Sequence, residues 1–390
     1  MIFGMDIKRI SEEGKYFFFG YYDLQPFNQN GTLHLAHRTD FMDRLQREGD
    51  TAEVGVIETD TLKYTPIERT EAWNFQQGAM LQWNPLCEDE IIYNVLSDGE
   101  YVTCFENIKN GKKRYADRSI ANVSKDGKYG LSINMSRLYD FRPGYGYATV
   151  KDKFYNDSHS KDDGIFLVDM QSGKSKLILS LDEIWDFSGR FFKGEDKKLV
   201  VKHITFNPSA NRFLFLVRDV PVNGKPKHDT AVITANRDGS DMYMLSDYCV
   251  ASHYNWKDDD TLMIYAWMKE LECCRSVFNY ELHDKTHEGR TVGGELFASD
   301  NHMSYSPDKK TLLWDGYPDK VTGKRPLGIM DMESEEVRMI GDFYSMPSDC
   351  IDIRCDLHPR WNRDGSLITF DSTHEGYRGI YMLKTDQILK

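Results

Sequence analysis

The amino-acid sequence predicts an all-β protein in which residues 1–390 form a single domain, a seven-bladed β-propeller. Three observations lead to this prediction. A short unit recurs seven times along the chain, each copy has the composition of a β-hairpin, and long stretches of helical periodicity are absent. Each repeat of such a chain builds one structural module, and neighbouring modules pack around a shared axis.

The repeated unit consists of an aromatic residue, a polar turn rich in Asn, Asp, Gly or Pro, and then an apolar strand. Its seven copies have their turns at residues 26–31, 82–85, 122–127, 205–208, 255–259, 304–308 and 360–365. Such a turn between strands rich in β-branched and aromatic side chains is typical of a β-hairpin. In several copies a second strand pair follows, as at residues 164–173 and 231–239, which brings each repeat to the four strands of a propeller blade.

The largest interval between copies separates the third from the fourth and contains a long insertion, residues 139–163. We expect this insertion at the mouth of the central channel. Long irregular segments on a rigid scaffold often carry function. For the polar part, residues 151–163, the alternative is a disordered surface loop, whereas residues 139–147 are too aromatic for that interpretation.

Four consecutive copies carry a histidine three residues before their aromatic: His203, His253, His302 and His358. In a propeller this position lies at the start of the innermost strand, beside the axis, so we expect the four imidazoles to become neighbours. Clustered neutral imidazoles suit a first-row divalent metal ion. The alternative is that each histidine forms a structural hydrogen bond to the next blade.

Residues beside these histidines extend the candidate metal site. Asp300, Cys355 and Asp356 flank two of the histidines and are able to complete a coordination shell. We predict His253, His302, His358 and Asp356 as ligands of an oxygen-rich manganese site. A zinc site built from Cys355, His358 and His253 is the alternative, because spacing alone does not choose between the two metals.

A second cluster of candidate residues lies in and next to the insertion. Arg137, Arg142, Tyr145 and Tyr147 stand close together there, with two glycines between the tyrosines and Arg142. Tyrosine stacks on sugar rings and can transfer protons, and arginine binds carboxylates with two parallel hydrogen bonds. The alternative is a rigid loop that only caps the channel.

Two further residues, Tyr22 and Gln77, precede the inner strands of the first two blades. Aromatic and amide side chains at a channel mouth suit carbohydrate binding.

Composition limits the partners and the compartment. The net charge of −13 argues against a general nucleic-acid-binding protein, which needs a basic surface, but it permits an anionic sugar bound at a locally basic site. No run approaches the roughly 18 apolar residues of a membrane span, and the first residues do not resemble a secretion signal. The seven cysteines are scattered and include the adjacent Cys273 and Cys274, so we expect reduced thiols and a cytoplasmic protein.

On these residues the chain resembles the propeller-fold polysaccharide lyases, namely oligogalacturonate lyase and the propeller ulvan lyases. The resemblance covers most of the chain and is carried by residues 19–23, 142–147, 252–256, 301–304 and 356–365. It implies a manganese ion held by histidines and a glutamine on the late blades. By this resemblance His253 and His358 match metal ligands, and Asp356 stands where the family has another histidine.

The resemblance also implies a reaction, the β-elimination of uronic-acid-containing oligosaccharides assisted by a metal ion. Tyr145 or Tyr147 matches the region of the catalytic tyrosine of ulvan lyases, and we predict both, with Arg142 and His203, as catalytic residues. Tyr22, Arg137, Gln77 and Lys161 are the predicted substrate contacts.

The chain departs from the family at two positions. Lys161 and its neighbours replace an arginine of these lyases, for which Lys161 or Arg142 is the available substitute. Residues 78–83 lack the catalytic histidine of the ulvan lyases.

The sequence therefore supports more than one function. The first hypothesis is a carbon–oxygen lyase that acts on uronic-acid-containing glycans. The alternative is a non-catalytic carbohydrate-binding or scaffold propeller in polysaccharide metabolism. A hydrolase is a third hypothesis, and it requires a pair of carboxylates across the channel, for which Asp23, Asp300 and Asp356 are candidates.

Overall fold

The computed structural model describes residues 5–189, 197–221, 229–268, 277–348 and 351–388 of the chain. In these residues 28 strands form seven four-stranded sheets, and the fold is a seven-bladed β-propeller, as the seven repeats predict. The adjacent Cys273 and Cys274 lie outside the described residues. The described part of the chain contains no helix that is both long enough and apolar enough to cross a membrane.

The chain divides into two compact units, of which the first comprises Met1–Tyr93, Phe105–Lys112 and Ser299–Lys390 and the second Asn94–Cys104 and Lys113–Ala298. The first unit holds three whole sheets. Their strands are β2 (Tyr16–Phe18), β3 (Leu33–Thr39), β4 (Ala52–Glu58) and β5 (Tyr64–Thr70); β22 (Met303–Tyr305), β23 (Thr311–Asp315), β24 (Lys324–Asp331) and β25 (Val337–Tyr344); and β26 (Arg360–Trp361), β27 (Leu367–Ser372), β28 (Gly379–Lys384) and β1 (Lys8–Arg9).

The second unit also holds three whole sheets. Their strands are β10 (Asn122–Val123), β11 (Tyr129–Ser132), β12 (Gly164–Asp169) and β13 (Ser175–Ser180); β14 (Lys197–Phe206), β15 (Arg212–Pro221), β16 (Thr230–Asn236) and β17 (Tyr243–Cys249); and β18 (Ala251–Trp256), β19 (Thr261–Ala266), β20 (Phe278–His283) and β21 (Gly289–Val292). The remaining sheet has strands from both units: β6 (Gln82–Trp83), β7 (Glu90–Ser97), β8 (Glu100–Asn107) and β9 (Lys113–Ala116).

The N-terminal strand completes the last sheet. Strand β1 pairs antiparallel with β28, so that Lys8 lies opposite Met382 and Arg9 lies opposite Tyr381. The Arg9 guanidinium hydrogen-bonds to Glu375 and lies over the ring of Tyr377. The first and last strands of the described residues therefore share one sheet.

The predicted polar turns form the tight hairpins for which their residues are suited. In the turn between β26 and β27, the Asn362 carboxamide accepts the Leu367 N–H at 2.9 Å and the Asp364 carboxylate accepts the Ser366 N–H at 2.9 Å. Gly365 has a φ of 77°, a left-handed conformation that glycine adopts without a steric penalty. The same residue types in the other copies explain why the repeat was visible in the sequence.

Short helices interrupt the β-structure. Helix α1 (Met135–Phe141) begins at Asn134, whose side chain accepts the Arg137 N–H, and helix α2 (Leu181–Ser188) begins with a reciprocal Ser180–Glu183 capping box. Single 3-10 turns are found at Gly294–Phe297, Ile351–Ile353 and Thr385–Gln387. The predicted insertion lies between β11 and β12, and α1 leads into it.

Candidate metal centre

Two of the four predicted histidines meet in the first unit. His302 and His358 are both buried, and their Nε2 atoms are 3.2 Å apart. The two rings are perpendicular, with centroids 4.2 Å apart. The prediction that histidines from successive repeats converge therefore holds for this pair.

The opposite nitrogen of each ring is held by an oxygen that can only accept a hydrogen bond. His302 Nδ1 lies 2.8 Å from Asp315 Oδ1, and His358 Nδ1 lies 2.8 Å from the carbonyl oxygen of Gly20. Because neither acceptor has a proton to donate, each Nδ1 donates a hydrogen bond, and the lone pair of a ring that is not protonated is on its Nε2. Two lone pairs that face each other at 3.2 Å need a proton or a cation between them.

The Asp315 carboxylate also fixes the backbone that carries both rings. Its oxygens accept the N–H of His302 at 2.9 Å and the N–H of His358 at 3.1 Å. The other anchor, Gly20, has a φ of 126°, and a Cβ atom there would lie 2.9 Å from the carbonyl carbon of Gln77. A carboxylate and a close-packed glycine thus orient the imidazoles, as the outer ligand shell does in metal sites.

Asp356 completes the cluster. Its Oδ1 accepts hydrogen bonds from Arg325 at 2.7 Å and Arg354 at 2.9 Å, whereas its buried Oδ2 has no hydrogen-bond partner among the residues that the structure describes. Burial opposes ionisation of this carboxyl, but the guanidinium groups of Arg354 and Arg325 hold its pKa well below its usual range. The cluster therefore contains an ionised carboxylate with one oxygen available.

These three side chains fit one metal ion. Ligand atoms of His302, Asp356 and His358 all lie within 4.8 Å of one another. Two nitrogens that are each about 2.1 Å from one ion, in adjacent positions, are about 3.0–3.4 Å apart, which matches the 3.2 Å separation of the two Nε2 atoms. Two imidazoles and a carboxylate suit manganese, iron or zinc. Burial raises the pKa of the neighbouring Cys355 thiol to about 11, which disfavours a thiolate ligand.

Aromatic rings surround this cluster. The Tyr22 ring lies 5.3 Å from the His302 ring and 6.1 Å from the His358 ring. Tyr21 lies 5.2 Å from His358, and Tyr317 lies 6.4 Å from His302. The predicted substrate contact Tyr22 is thus brought beside the candidate ligands.

The other two predicted histidines meet in the second unit. The rings of His203 and His253 are 5.7 Å apart, and the Tyr145 ring lies 5.9 Å from that of His203. The Lys202 ammonium lies 3.1 Å from the centre of the Tyr145 ring. The predicted ligand His253 therefore contacts the predicted catalytic residue His203, and Tyr145 completes this group.

Two predicted functional residues of the second unit are fully engaged inside the fold. All five N–H donors of the Arg137 side chain are used, in an ion pair with Asp152 at 2.9 Å and in bonds to four backbone carbonyls. The Tyr147 hydroxyl accepts a hydrogen bond from Asn94 at 2.7 Å, and burial raises the pKa of this phenol. These contacts favour structural roles, since Arg137 has no donor left for a substrate and Tyr147 resists deprotonation.

The remaining predicted residues lie in varied surroundings. Lys161 is exposed, 3.6 Å from Asp182, and half-buried Arg142 lies with its guanidinium carbon 5.7 Å from the Tyr145 ring. Gln77 is buried, and its backbone N–H donates to Asn74 Oδ1 at 2.8 Å. The backbone of Gln77 packs against Gly20, whose carbonyl oxygen contacts His358.

Sequence reasoning missed Asp315, Arg325 and Arg354. The sequence did contain a pattern that points to Asp315. Near the end of the second strand of two late repeats, an aromatic residue is followed by aspartate, as Trp314-Asp315 and Phe370-Asp371. Asp371 likewise accepts the backbone N–H groups of Phe19 and Gly20. The arginines had no such signal, since they come from a third strand and a loop.

Comparison with known proteins supports the fold. No protein-family model and no curated protein matches the chain. Among solved structures, an oligogalacturonate lyase in complex with manganese is 13% identical over 98% of this chain and 94% of that one, with a TM-score of 0.68. The oligogalacturonate lyase of Vibrio parahaemolyticus is 12% identical over 100% and 96%, also with a TM-score of 0.68. The β-propeller domain of the Trilobed protease from Pyrococcus furiosus is 10% identical over 95% of each chain, with a TM-score of 0.53.

Proposed function

We propose that this protein is a lyase that cleaves uronic-acid-containing oligosaccharides by β-elimination, at a centre where His302, His358 and Asp356 hold a divalent metal ion. The observation that carries the proposal is the 3.2 Å approach of two Nε2 lone pairs beside the available Oδ2 of Asp356. The similarity in fold to an oligogalacturonate lyase in complex with manganese supports both the reaction class and the metal.

The reaction needs two things from the protein. A positive charge must neutralise the carboxylate of the uronic acid, so that the adjacent C5 proton becomes acidic, and a base must remove that proton. The C5–H electron pair then forms the C4–C5 double bond, while the C4–O bond breaks and its electron pair stays on the leaving oxygen. A metal ion bound at the cluster supplies the positive charge as a Lewis acid.

The residues around the cluster prepare it for an anionic substrate. Arg325 and Arg354 neutralise Asp356, so the three ligands carry little net negative charge against a carboxylate. The buried Tyr22 ring, 5.3 Å from the His302 ring, is the predicted substrate contact beside the cluster. Asp315 keeps the His302 ring in the orientation that binds a cation.

The acid–base residues are a separate part of the proposal. Tyr145 and His203, whose rings contact each other in the second unit, are the candidates that the sequence resemblance offers for the proton transfer. Tyr147 is not assigned, because burial raises the pKa of its hydroxyl and Asn94 already bonds it. Variants Tyr145→Phe and His203→Gln test the assignment, and each is expected to abolish cleavage while the bound metal stays at the wild-type level.

The central experiment measures metal content and cleavage together. Protein purified without a chelating tag is analysed for bound metals, and it is then incubated with galacturonan, glucuronan and ulvan fragments while the ultraviolet absorbance of an unsaturated uronide is followed. The variants His302→Gln, His358→Gln and Asp356→Asn are expected to lose the metal and to cleave at least about 100-fold more slowly. His287→Gln, an exposed histidine of the second unit, is the matched control.

Two outcomes would contradict this proposal. If wild-type protein contains no metal, even after incubation with Mn²⁺, Fe²⁺ or Zn²⁺, the proposed metal centre is wrong. If metal-loaded protein produces no unsaturated sugar from any of the three glycans, the proposed reaction is wrong.

A carbohydrate-binding propeller without catalysis is the second candidate. It is favoured by the engagement of Arg137 and Tyr147 in the fold, which removes two residues from the predicted functional set. This candidate predicts that the protein binds one of the glycans while mass spectrometry finds the bound chain intact.

A further inference from the structure

The insertion forms the wall of a cavity inside the second unit. The cavity has a volume of about 400 Å³, and its lining includes Tyr101, Arg118, Asn134, Phe154 and Asp163. The Tyr101 hydroxyl accepts the N–H groups of Thr149 and Val150 at 2.8 and 2.9 Å, which fastens the insertion over the cavity. A volume of this size is typical of a site for a small ligand.

Arg118 is the unusual residue of this cavity. Its guanidinium carbon lies 3.4 Å from the centre of the Phe166 ring, so the flat face of the cation is stacked on an aromatic platform. No hydrogen bond or ion pair joins its guanidinium to any residue in the described ranges. Burial lowers the pKa of Arg118, although the side chain is only partly buried, and this effect outweighs the opposing attraction of the Asp163, Asp117 and Glu100 carboxylates, which raise it.

Because the face of the Arg118 guanidinium stacks on Phe166, the N–H groups at its edge are the part that can bind a ligand. An arginine fixed by its face presents its N–H groups in one plane, in the geometry that binds a carboxylate through two parallel hydrogen bonds. Polar side chains suited to hydroxyl groups line the same cavity, among them Glu100, Asp117 and Lys153. Asp163 has a structural part, because it is buried, its two oxygens accept the Asn134 amide at 2.8 Å and the Gly164 N–H at 2.9 Å, and burial raises the pKa of its carboxyl.

We propose that this cavity is a second binding site, for a hexuronate whose carboxylate pairs with Arg118 and whose hydroxyl groups bond to the polar side chains that line the cavity. The carboxylate contact follows from Arg118 and Phe166 themselves. The choice of a sugar as its carrier rests on the proposed function. The site lies wholly within the second unit and shares no residue with the metal cluster.

The test measures binding of monosaccharides to the full-length protein by calorimetry. Galacturonate and glucuronate are the probes, galactose and glucose the neutral counterparts, and acetate the carboxylate without a sugar. Wild-type protein is expected to bind a hexuronate at least tenfold more tightly than the neutral sugar or acetate. Arg118→Gln is expected to weaken hexuronate binding by at least about tenfold, the loss typical of a charge-assisted pair.

Control variants separate the site from general effects. Arg47→Gln removes an exposed arginine of the first unit and is expected to leave hexuronate binding unchanged. Phe166→Leu keeps an apolar side chain but removes the aromatic platform, and it is expected to weaken binding without abolishing the fold, as checked by circular dichroism. His302→Gln, which disables the metal cluster, is expected to bind hexuronate as the wild type does.

Three results overturn the inference: wild-type protein that binds no hexuronate, equal binding of neutral sugars, or an Arg118→Gln variant with wild-type affinity. Acetate that competes as strongly as hexuronate overturns the sugar assignment. Because His302→Gln changes the metal cluster alone, a His302→Gln variant that keeps both wild-type cleavage and hexuronate binding counts against the proposed function only.

Discussion

The role of Asp315 gives the sharpest test of the metal centre. Its carboxylate accepts three N–H groups, from the ring and backbone of His302 at 2.8 and 2.9 Å and from the backbone of His358 at 3.1 Å. Asparagine has nearly the same shape, but its NH₂ group cannot accept a hydrogen bond and its amide carries no charge. In Asp315→Asn, therefore, either the two bonds of His302 or the bond of His358 is lost.

The size of the effect follows from these contacts. Loss of one or two charge-assisted hydrogen bonds at a buried site lowers the free energy of unfolding by about 2–4 kcal/mol. Removal of the group that orients a ligating histidine weakens metal binding by about 10- to 100-fold. The measurement is a competitive titration of Mn²⁺ and Zn²⁺ against a chromophoric chelator, at a temperature where near-ultraviolet circular dichroism shows the variant to be folded.

Asp284→Asn is the matched control. Asp284 is a buried carboxylate of the second unit that accepts bonds from Thr234 at 2.6 Å and Arg212 at 2.7 Å. It is expected to lose stability to a similar extent and to keep wild-type metal affinity. If Asp315→Asn binds metal as tightly as the wild type, or no more weakly than Asp284→Asn, then Asp315 does not orient a metal ligand.

Three further predictions concern stability. Burial lowers the pKa of His37 from 6.5 to about 4, so the unfolded chain takes up a proton before the folded chain does, and stability is lost as the pH falls between these two values. Urea unfolding at about pH 7, 5.5 and 4.5 is expected to show that His37 lowers the free energy of unfolding by up to about 3 kcal/mol at the acidic end. In His37→Gln this pH-dependent decrease is expected to be smaller. Arg9→Ala breaks the clasp between the first and last strands and is expected to lower the free energy of unfolding by about 1–2 kcal/mol, whereas Lys8→Ala on the same strand changes it little. Arg137→Gln leaves the buried Asp152 unpaired and is expected to cost about 3–5 kcal/mol, with limited proteolysis cutting the insertion faster than in the wild type.

The fold was predictable because its signal is local and repeated. Each hairpin turn is made by side chains that bond their own backbone, such as Asn362 and Asp364, so the pattern survives in every copy at the level of residue type. The closure of the last sheet by β1 left no such signal. It depends on a pairing between residues more than 370 positions apart, Arg9 and Tyr381, which no local pattern encodes.

The candidate site was predictable only in part. Equivalent positions of neighbouring repeats come together, which is why the spacing of His302 and His358 was informative. The spacing also brought His203 and His253 together, but it did not reveal that Arg137 uses four of its five donors to bind the insertion and the fifth to bind Leu199. The contacts of Arg137 depend on how an irregular segment packs, and an irregular segment has no sequence periodicity that predicts its packing.

The histidine position itself carries a backbone constraint that bears on its use. Three residues before the aromatic, His203, His358 and Met80 have φ values of 47°, 42° and 53°, a left-handed conformation that costs a non-glycine residue about 1–2 kcal/mol. Met80 shows that the blade imposes this conformation without needing an imidazole, while His253 and His302 carry the imidazole without the conformation. Backbone and side chain are therefore independent features of this position. At His358 they combine, because the left-handed turn carries a ring whose Nδ1 meets the Gly20 carbonyl while its Nε2 faces His302. Glycine would relieve the strain there but would remove the ring and both of its contacts.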